Sequence, residues 1–172
     1  KEFENCPCGV KHELNVKDIR VGSKITSKTG EILKENNFPT NILFVADKTT
    51  LAVSEGILDA LKDFTLTFKI YDNLREATVS EVNVIKSLLI NVDGVISVGT
   101  GSLNDICRMA SAELNKPLCI FATAPSMDGY ASATSSMSMD GLKVSLNSRC
   151  ADVIIGDTDV LKNAPLHMLK SG

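Results

Sequence analysis

Residues 94–111 read GVISVGTGSLNDICRMAS. An apolar run, GVISV, ends in two glycines one residue apart, Gly99 and Gly101, and passes at once into helix-forming sequence. Strand, glycine turn and helix in immediate succession make the βα half of a βαβ unit. Upstream, Thr78 through Asn91 reads as a helix, with Thr78 as N-cap and Glu81 three residues later. Before it lie a strand, LTFKIY (66–71), an amphipathic helix, TTLAVSEGILDALKDF (49–64), and a buried strand, NILFVADK (41–48). Further back, a helix near 22–36 ends in the turn residues Asn36 and Asn37, and HELNVKDIRV (12–21) reads as a strand. Downstream, LCIFAT (118–123) is the next strand.

NILFVA, GVISV and LCIFA are apolar throughout rather than alternating, as in a sheet covered on both faces. The expected fold is therefore α/β, a Rossmann-like parallel sheet with helices on both faces. After Ser126 the rhythm changes. SMSMDGLKVSLN predicts a β-hairpin near 137–147 turning at Asp140-Gly141. ADVIIG (151–156) is one more buried strand, and Asp157 or Thr158 can cap a short final helix.

The chain has 172 residues, 44% hydrophobic and 23% charged, enough for one domain with a sizeable core or at most two small ones. A net charge of −3 argues against a nucleic-acid or membrane-surface partner. No apolar run approaches the ~20 residues of a bilayer span. The opening KEFENCPCGV lacks signal-peptide order, so a cytoplasmic home is expected. Five cysteines (Cys6, Cys8, Cys107, Cys119, Cys150) read as reduced thiols. Cys6-x-Cys8-Gly-x-x-His12 has zinc-ligand chemistry, but its one-residue spacing and three ligands fit a small turn with buried thiols better. His12 and His167 are the two histidines and have no neighbours that would form a triad or metal pair. Met127, Met137 and Met139 read as packing.

Ligands of open α/β sheets bind beyond the carboxyl ends of the strands, and three candidate sites lie there. Gly99-Thr100-Gly101-Ser102 can present helix N–H groups to a pyrophosphate, with Ser102 capping the helix; the alternative is a tight turn that needs only glycine. Asp47 ends a strand and can accept from an adenosine ribose, or simply cap the next helix. Residues 122–132 carry four hydroxyl side chains and one acid after a strand. They suggest a binding loop or, alternatively, a capped turn opened by Ser126 or Asp128.

Together, Asp47, Gly99-Thr100-Gly101-Ser102-Leu103-Asn104-Asp105 and the stretch from Thr123 through Asp128 to Ser132 resemble the superfamily of iron-type alcohol dehydrogenases, glycerol dehydrogenases and dehydroquinate synthases. The chain is most similar to its bacterial sn-glycerol-1-phosphate dehydrogenases, a branch that tolerates a hydroxyl residue where much of the superfamily has a third glycine. The opening Cys-x-Cys-Gly-x-x-His also resembles that branch. The resemblance implies a dehydroquinate synthase-like N-terminal domain that binds NAD(H), with NADP(H) also accepted by some relatives. It implies reduction of dihydroxyacetone phosphate to sn-glycerol 1-phosphate, a precursor in phospholipid biosynthesis. Asp47 would hold the adenosine ribose; Gly99, Thr100, Gly101, Ser102 and Leu103 the pyrophosphate; Thr123, Ser126 and Ser132 the cofactor toward its nicotinamide; and Asp128 the substrate.

The resemblance further implies a divalent metal (zinc, nickel or iron) held by an aspartate and two histidines of a helical C-terminal domain, and a homo-oligomer. That domain is expected beyond residue 172, leaving 1–172 as the NAD(H)-binding α/β domain, inactive alone. A glycerol or other polyol dehydrogenase, and a stand-alone nucleotide-binding module, are the alternatives.

Overall fold

The computed structural model describes residues 7–8, 15–99, 101–127 and 129–171. Along the chain come β1 (Asp18–Gly22), a 3-10 turn at Thr26–Lys28, α1 (Thr29–Glu35), β2 (Asn41–Asp47), α2 (Lys48–Val53), α3 (Ile57–Ala60) and β3 (Thr65–Tyr71). Next are α4 (Val79–Leu89), β4 (Gly94–Gly99), α5 (Gly101–Leu114) and β5 (Leu118–Ala122). The chain continues through β6 (Thr134–Met139), β7 (Leu142–Asn147), β8 (Val153–Asp157), α6 (Thr158–Leu161) and α7 (Leu166–Ser171).

Six parallel strands form one sheet in the order β1-β8-β5-β4-β2-β3. Its inner strands are apolar on both faces because both are covered. Leu43, Val45 and Val95 pack with Val82, Ile85 and Leu89 of α4 and Ile106 and Ala110 of α5. Ile42, Phe44 and Ala46 pack with Ile32 and Leu33 of α1 and Ile57 of α3 on the other side. From β2 the chain moves outward to β3, whereas from β4 it moves the opposite way to β5. The carboxyl ends of the adjacent strands β2 and β4 therefore flank a topological switch point, where a crevice opens. Among the described residues no helix is long and apolar enough to cross a membrane.

Helix ends follow local chemistry. Thr78 caps α4, its hydroxyl accepting from the Glu81 N–H at 3.3 Å. At the other end of α4 the Lys116 ammonium donates to the carbonyls of Leu89, Ile90 and Val92, which have no partner within the helix. Asn36 and Asn37 close α1 as expected, Asn37 at φ 53°.

The predicted helix over 49–64 is two short helices. Gly56, at φ 84°, breaks it in the left-handed region, so apolar spacing runs on through a chain that reverses. The helix near 22–36 begins only at Thr26, and the final helix divides into α6 and α7 around Pro165. Of the predicted strand 12–21, β1 takes up only the last part; residues 12–14, with His12 and Cys6, lie outside the described residues. Cys8 is exposed, against the expectation of buried thiols there, whereas Cys107, Cys119 and Cys150 are buried and free.

The hairpin turns at Asp140 (φ 51°) and Gly141 (φ 79°), the paired left-handed angles of a tight two-residue turn. It forms a separate two-stranded sheet, with Met137 sunk into the core of α4 and α5. Met139, by contrast, is 40% exposed and adds little packing. Arg108 of α5, 1% exposed, ties the hairpin and the loop before it to the main body. It pairs with Asp105 at 3.0 Å and donates to the carbonyls of Gly129 (2.7 Å), Tyr130 (3.3 Å) and Thr134 (3.2 Å).

Candidate functional site

Asp47 ends β2 in extended backbone, and its Oδ1 accepts from the Thr50 N–H at 2.7 Å. Thr50 returns the bond, its hydroxyl accepting from the Asp47 N–H at 3.0 Å, which completes a capping box for α2. The capping role is thus realised, and Oδ2 has no hydrogen-bond partner among the described residues.

Across the switch point, β4 turns into α5. A Cβ on Gly99 would lie 2.5 Å from Leu103 Cδ1, so glycine here lets strand and helix pack closely. Leu103 is 3% exposed, and its side chain belongs to the core. Buried Asn104 braces the turn, accepting from the Ser97 hydroxyl at 2.7 Å and donating to the Gly99 carbonyl at 3.4 Å. Because α5 begins at Gly101, Ser102 stands inside its first turn rather than at the cap. Its hydroxyl donates instead to the Arg75 carbonyl at 2.9 Å, pinning the β3–α4 loop to the helix. The 14 residues of α5 point the positive end of their dipole at this junction.

Thr123 follows β5 and is buried. The loop beyond it is held at both ends: the Tyr130 hydroxyl donates to the Ala124 carbonyl at 2.6 Å, and Arg108 holds Gly129 and Tyr130. Burial pushes the Tyr130 phenol up to about 12, so it stays a donor. Burial also lowers the Arg108 guanidinium from its ordinary value and raises the Asp105 carboxyl, the latter partly offset by Arg108 itself. Ser132 stands where this loop meets the hairpin, its hydroxyl accepting from the Thr134 N–H at 3.0 Å.

Two cavities of about 360 Å³ each open along these turns. One is lined by Asp47, Thr50, Leu74, Arg75, Thr123 and Met168. The other is lined by Arg75, Gly101, Ser102, Met127, Ser132 and Lys143, among others. Arg75 borders both. The structure therefore gathers Asp47 with Thr123, and Gly101 and Ser102 with Ser132, whereas the sequence grouping puts Thr123 beside Ser132. Ser126 is half-buried in the turn after β5 and lines neither cavity; Thr100 and Asp128 lie outside the described residues. Met127, expected to pack, lines the second cavity, with its sulfur 3.2 Å from where a Cβ on Gly101 would stand.

Arg75, Leu74, Met168 and Lys143 are absent from the sequence-derived site. For Arg75 a signal existed: β3 neighbours β2, so the residues just past Tyr71 also lie beyond a carboxyl end. Among the described residues no group of three or more His, Cys, Asp and Glu side chains is placed to hold a metal ion. The Asp/His/His set that the resemblance implies does not arise from them.

Comparison with known proteins places this geometry. A family described as iron-containing alcohol dehydrogenase matches residues 20–165. The glycerol-1-phosphate dehydrogenase [NAD(P)+] of Thermococcus sibiricus is 31% identical over 161 residues, covering 91% of this chain and 45% of that protein. Its counterpart from Archaeoglobus fulgidus is 25% identical over 154 residues, covering 90% and 44%. The chain thus spans less than half the length of these relatives. Among solved structures, glycerol dehydrogenase from Schizosaccharomyces pombe superimposes with a TM-score of 0.78 at 22% identity, covering 91% of this chain and 41% of that one. Sulfoacetaldehyde reductase from Bifidobacterium kashiwanohense, in complex with NAD+, gives 0.77 at 17%, covering 91% and 48%. These likenesses bear out the dehydroquinate synthase-like α/β architecture. With the family match running from β1 to Pro165, the chain belongs to the iron-containing alcohol dehydrogenase family.

Proposed function

We propose that this chain is the dinucleotide-binding part of a dehydrogenase that reduces dihydroxyacetone phosphate to sn-glycerol 1-phosphate with NADH or NADPH. One observation carries the reading. Asp47 and the Gly99–Ser102 turn end adjacent strands at the switch point, beside two cavities that share Arg75 in their walls. An elongated ligand with a carbohydrate hydroxyl at one end and a pyrophosphate in its middle suits that arrangement. The names of the sequence relatives, glycerol-1-phosphate dehydrogenase [NAD(P)+], support the substrate.

In this reading Asp47 Oδ2 accepts from the adenosine ribose while Oδ1 keeps the cap on α2. Main-chain N–H groups at Gly101 and Ser102 take the pyrophosphate; Leu103 contributes through its main chain, its side chain being core. Thr123 serves the ribose end and Ser132 the nicotinamide end, with Thr100, Ser126 and Asp128 completing the contacts that the resemblance implies. A bound reduced nicotinamide supplies the hydride for the ketone carbon, and a proton reaches the carbonyl oxygen to give the alcohol. The divalent metal of the resemblance would come from residues outside this chain, the relatives being more than twice as long.

The test is NADH oxidation by the full-length protein with divalent metal added, offering dihydroxyacetone phosphate and free dihydroxyacetone side by side. Turnover confined to the phosphate supports the reading. Preference for the free ketone overturns it in favour of a polyol dehydrogenase, and binding of NADH without turnover of either favours a nucleotide-binding module.

A further inference from the structure

We propose that the cavity between the hairpin and the first turn of α5 is a phosphate subsite for the ketone substrate, and that Lys143 selects the phosphorylated substrate over the free one. The inference rests on the dehydrogenase reading above and names the group that would give it its specificity.

Two cations meet in this cavity. Arg75 and Lys143 both line this cavity, and neither has an ion-pair partner among the described residues. Topology brings them to one place. Lys143 pairs across the hairpin with Ser138, and the Ser138 N–H donates to the Ala77 carbonyl at 2.7 Å, two residues from Arg75. Thr134, Ser136 and Ser138 alternate along β6 and so share one side of it, and all three line the cavity. Met137, between them, is sunk in the core, so the alternation is anchored and the polar row cannot slip to the other face.

A buried cation adds to the positive field. Arg108 lines the same cavity at 1% exposure, and its Nε–H has no hydrogen-bond partner among the described residues. Two carboxylates also border the space, Asp105 and Glu76. Asp105 pairs with Arg108 at 3.0 Å and also feels the charge of Lys143, so two carboxylates face three cations, Arg75, Arg108 and Lys143. The surplus is positive, and the remaining polar groups are hydroxyls that can donate. A tetrahedral dianion is met best by just such point charges with several donors around them. The cofactor turn, Gly101-Ser102, opens into the same cavity, so a small ketone held here by its phosphate lies beside the cofactor's path. The uncharged ketone has nothing for Lys143 to hold.

A cofactor pyrophosphate has the same chemistry, and the experiment separates the two. In the full-length protein, Lys143→Met and Lys143→Arg are compared with wild type for KM and kcat on dihydroxyacetone phosphate, kcat/KM on dihydroxyacetone, NADH affinity, and competitive inhibition by inorganic phosphate. Lys143→Met should raise KM for the phosphorylated ketone about 10- to 100-fold, the loss of one charged hydrogen bond. Activity on the free ketone and NADH affinity should stay within about twofold, inorganic phosphate should inhibit less, and Lys143→Arg should recover most of the loss. Lys143 is exposed on the hairpin, so folding is expected to survive. If wild type prefers the phosphorylated ketone and Lys143→Met keeps its KM, the subsite is wrong while the function stands. Equal losses on both ketones, or a loss in NADH affinity, also overturn the subsite. A wild type indifferent to the phosphate overturns the function, and the subsite with it.

Discussion

One carboxylate at the end of β2 holds a cap with Oδ1 and leaves Oδ2 open, so its two roles can be separated by substitution. Asp47→Ser keeps a capping oxygen and removes the charge; Asp47→Ala removes both. Chemical denaturation should find the serine variant within about 0.5 kcal/mol of wild type and the alanine variant about 1 kcal/mol weaker. NADH titration should find both weakened, and unchanged affinity in the serine variant would reduce Asp47 to a cap. At Gly99 the prediction is steric. A Cβ there meets Leu103 Cδ1 at 2.5 Å, so Gly99→Ala should cost about 1–3 kcal/mol in denaturation. Adding Leu103→Ala to that variant should cost less than it does alone, because the new methyl occupies part of the vacated space. Sequence showed both positions because a strand-ending acid and a glycine pair are local signals. It misassigned Ser102, since the start of α5 depends on how the β4 turn closes. It passed over Arg75 and Lys143, which reach the site only through β3 lying beside β2 and the hairpin folding back on α5.

At the scale of elements, side chains help hold the hairpin where a neighbouring strand would, beside the main-chain bond from Ser138 to Ala77. Arg108 donates to the Thr134 carbonyl on the open edge of β6, and truncation to Met strands the Asp105 charge in a buried place. Arg108→Met should destabilise by about 3–5 kcal/mol. In hydrogen exchange, amides of 134–147 should lose protection before those of the six-stranded sheet; uniform loss would show that the hairpin is not an independent unit. At the end of β8, Asp157 accepts from the Thr26 N–H at 2.8 Å, the Thr26 hydroxyl at 2.5 Å and the Lys24 N–H at 3.2 Å. Burial alone would raise its carboxyl, but these bonds outweigh it and hold it below the ordinary 3.8. The stability it contributes is therefore complete above 3.8 and fades as pH falls through the lowered value. Unfolding midpoints across that range should fall less steeply for Asp157→Asn than for wild type. Elements themselves were legible where pattern is local: the apolar runs of β2, β4 and β5, Thr78 before α4, Asp140-Gly141 in the hairpin. The break at Gly56 was not, because apolar residues at helical spacing continue on both sides of it.

For the molecule as a whole, the cofactor reading makes a thermodynamic demand. NADH that binds the folded state alone should stabilise the full-length protein by about 2.7 kcal/mol at 100 times its dissociation constant, seen as a higher melting temperature. No shift at saturating NADH would remove the dinucleotide from the proposal. Strand order was beyond the sequence, which shows βα alternation but not which strand lies beside which. That order carries a consequence for biosynthesis. Among the described residues the only sheet partner of β1 is β8, and Asp18 sits opposite Val153. On the ribosome β1 emerges with its backbone N–H and C=O groups unpaired and its mate not yet translated. At about 5–20 residues per second the intervening chain takes roughly 7–26 s to make. Until then β1 carries an unpaired edge open to other chains, and only the synthesis of β8 closes it.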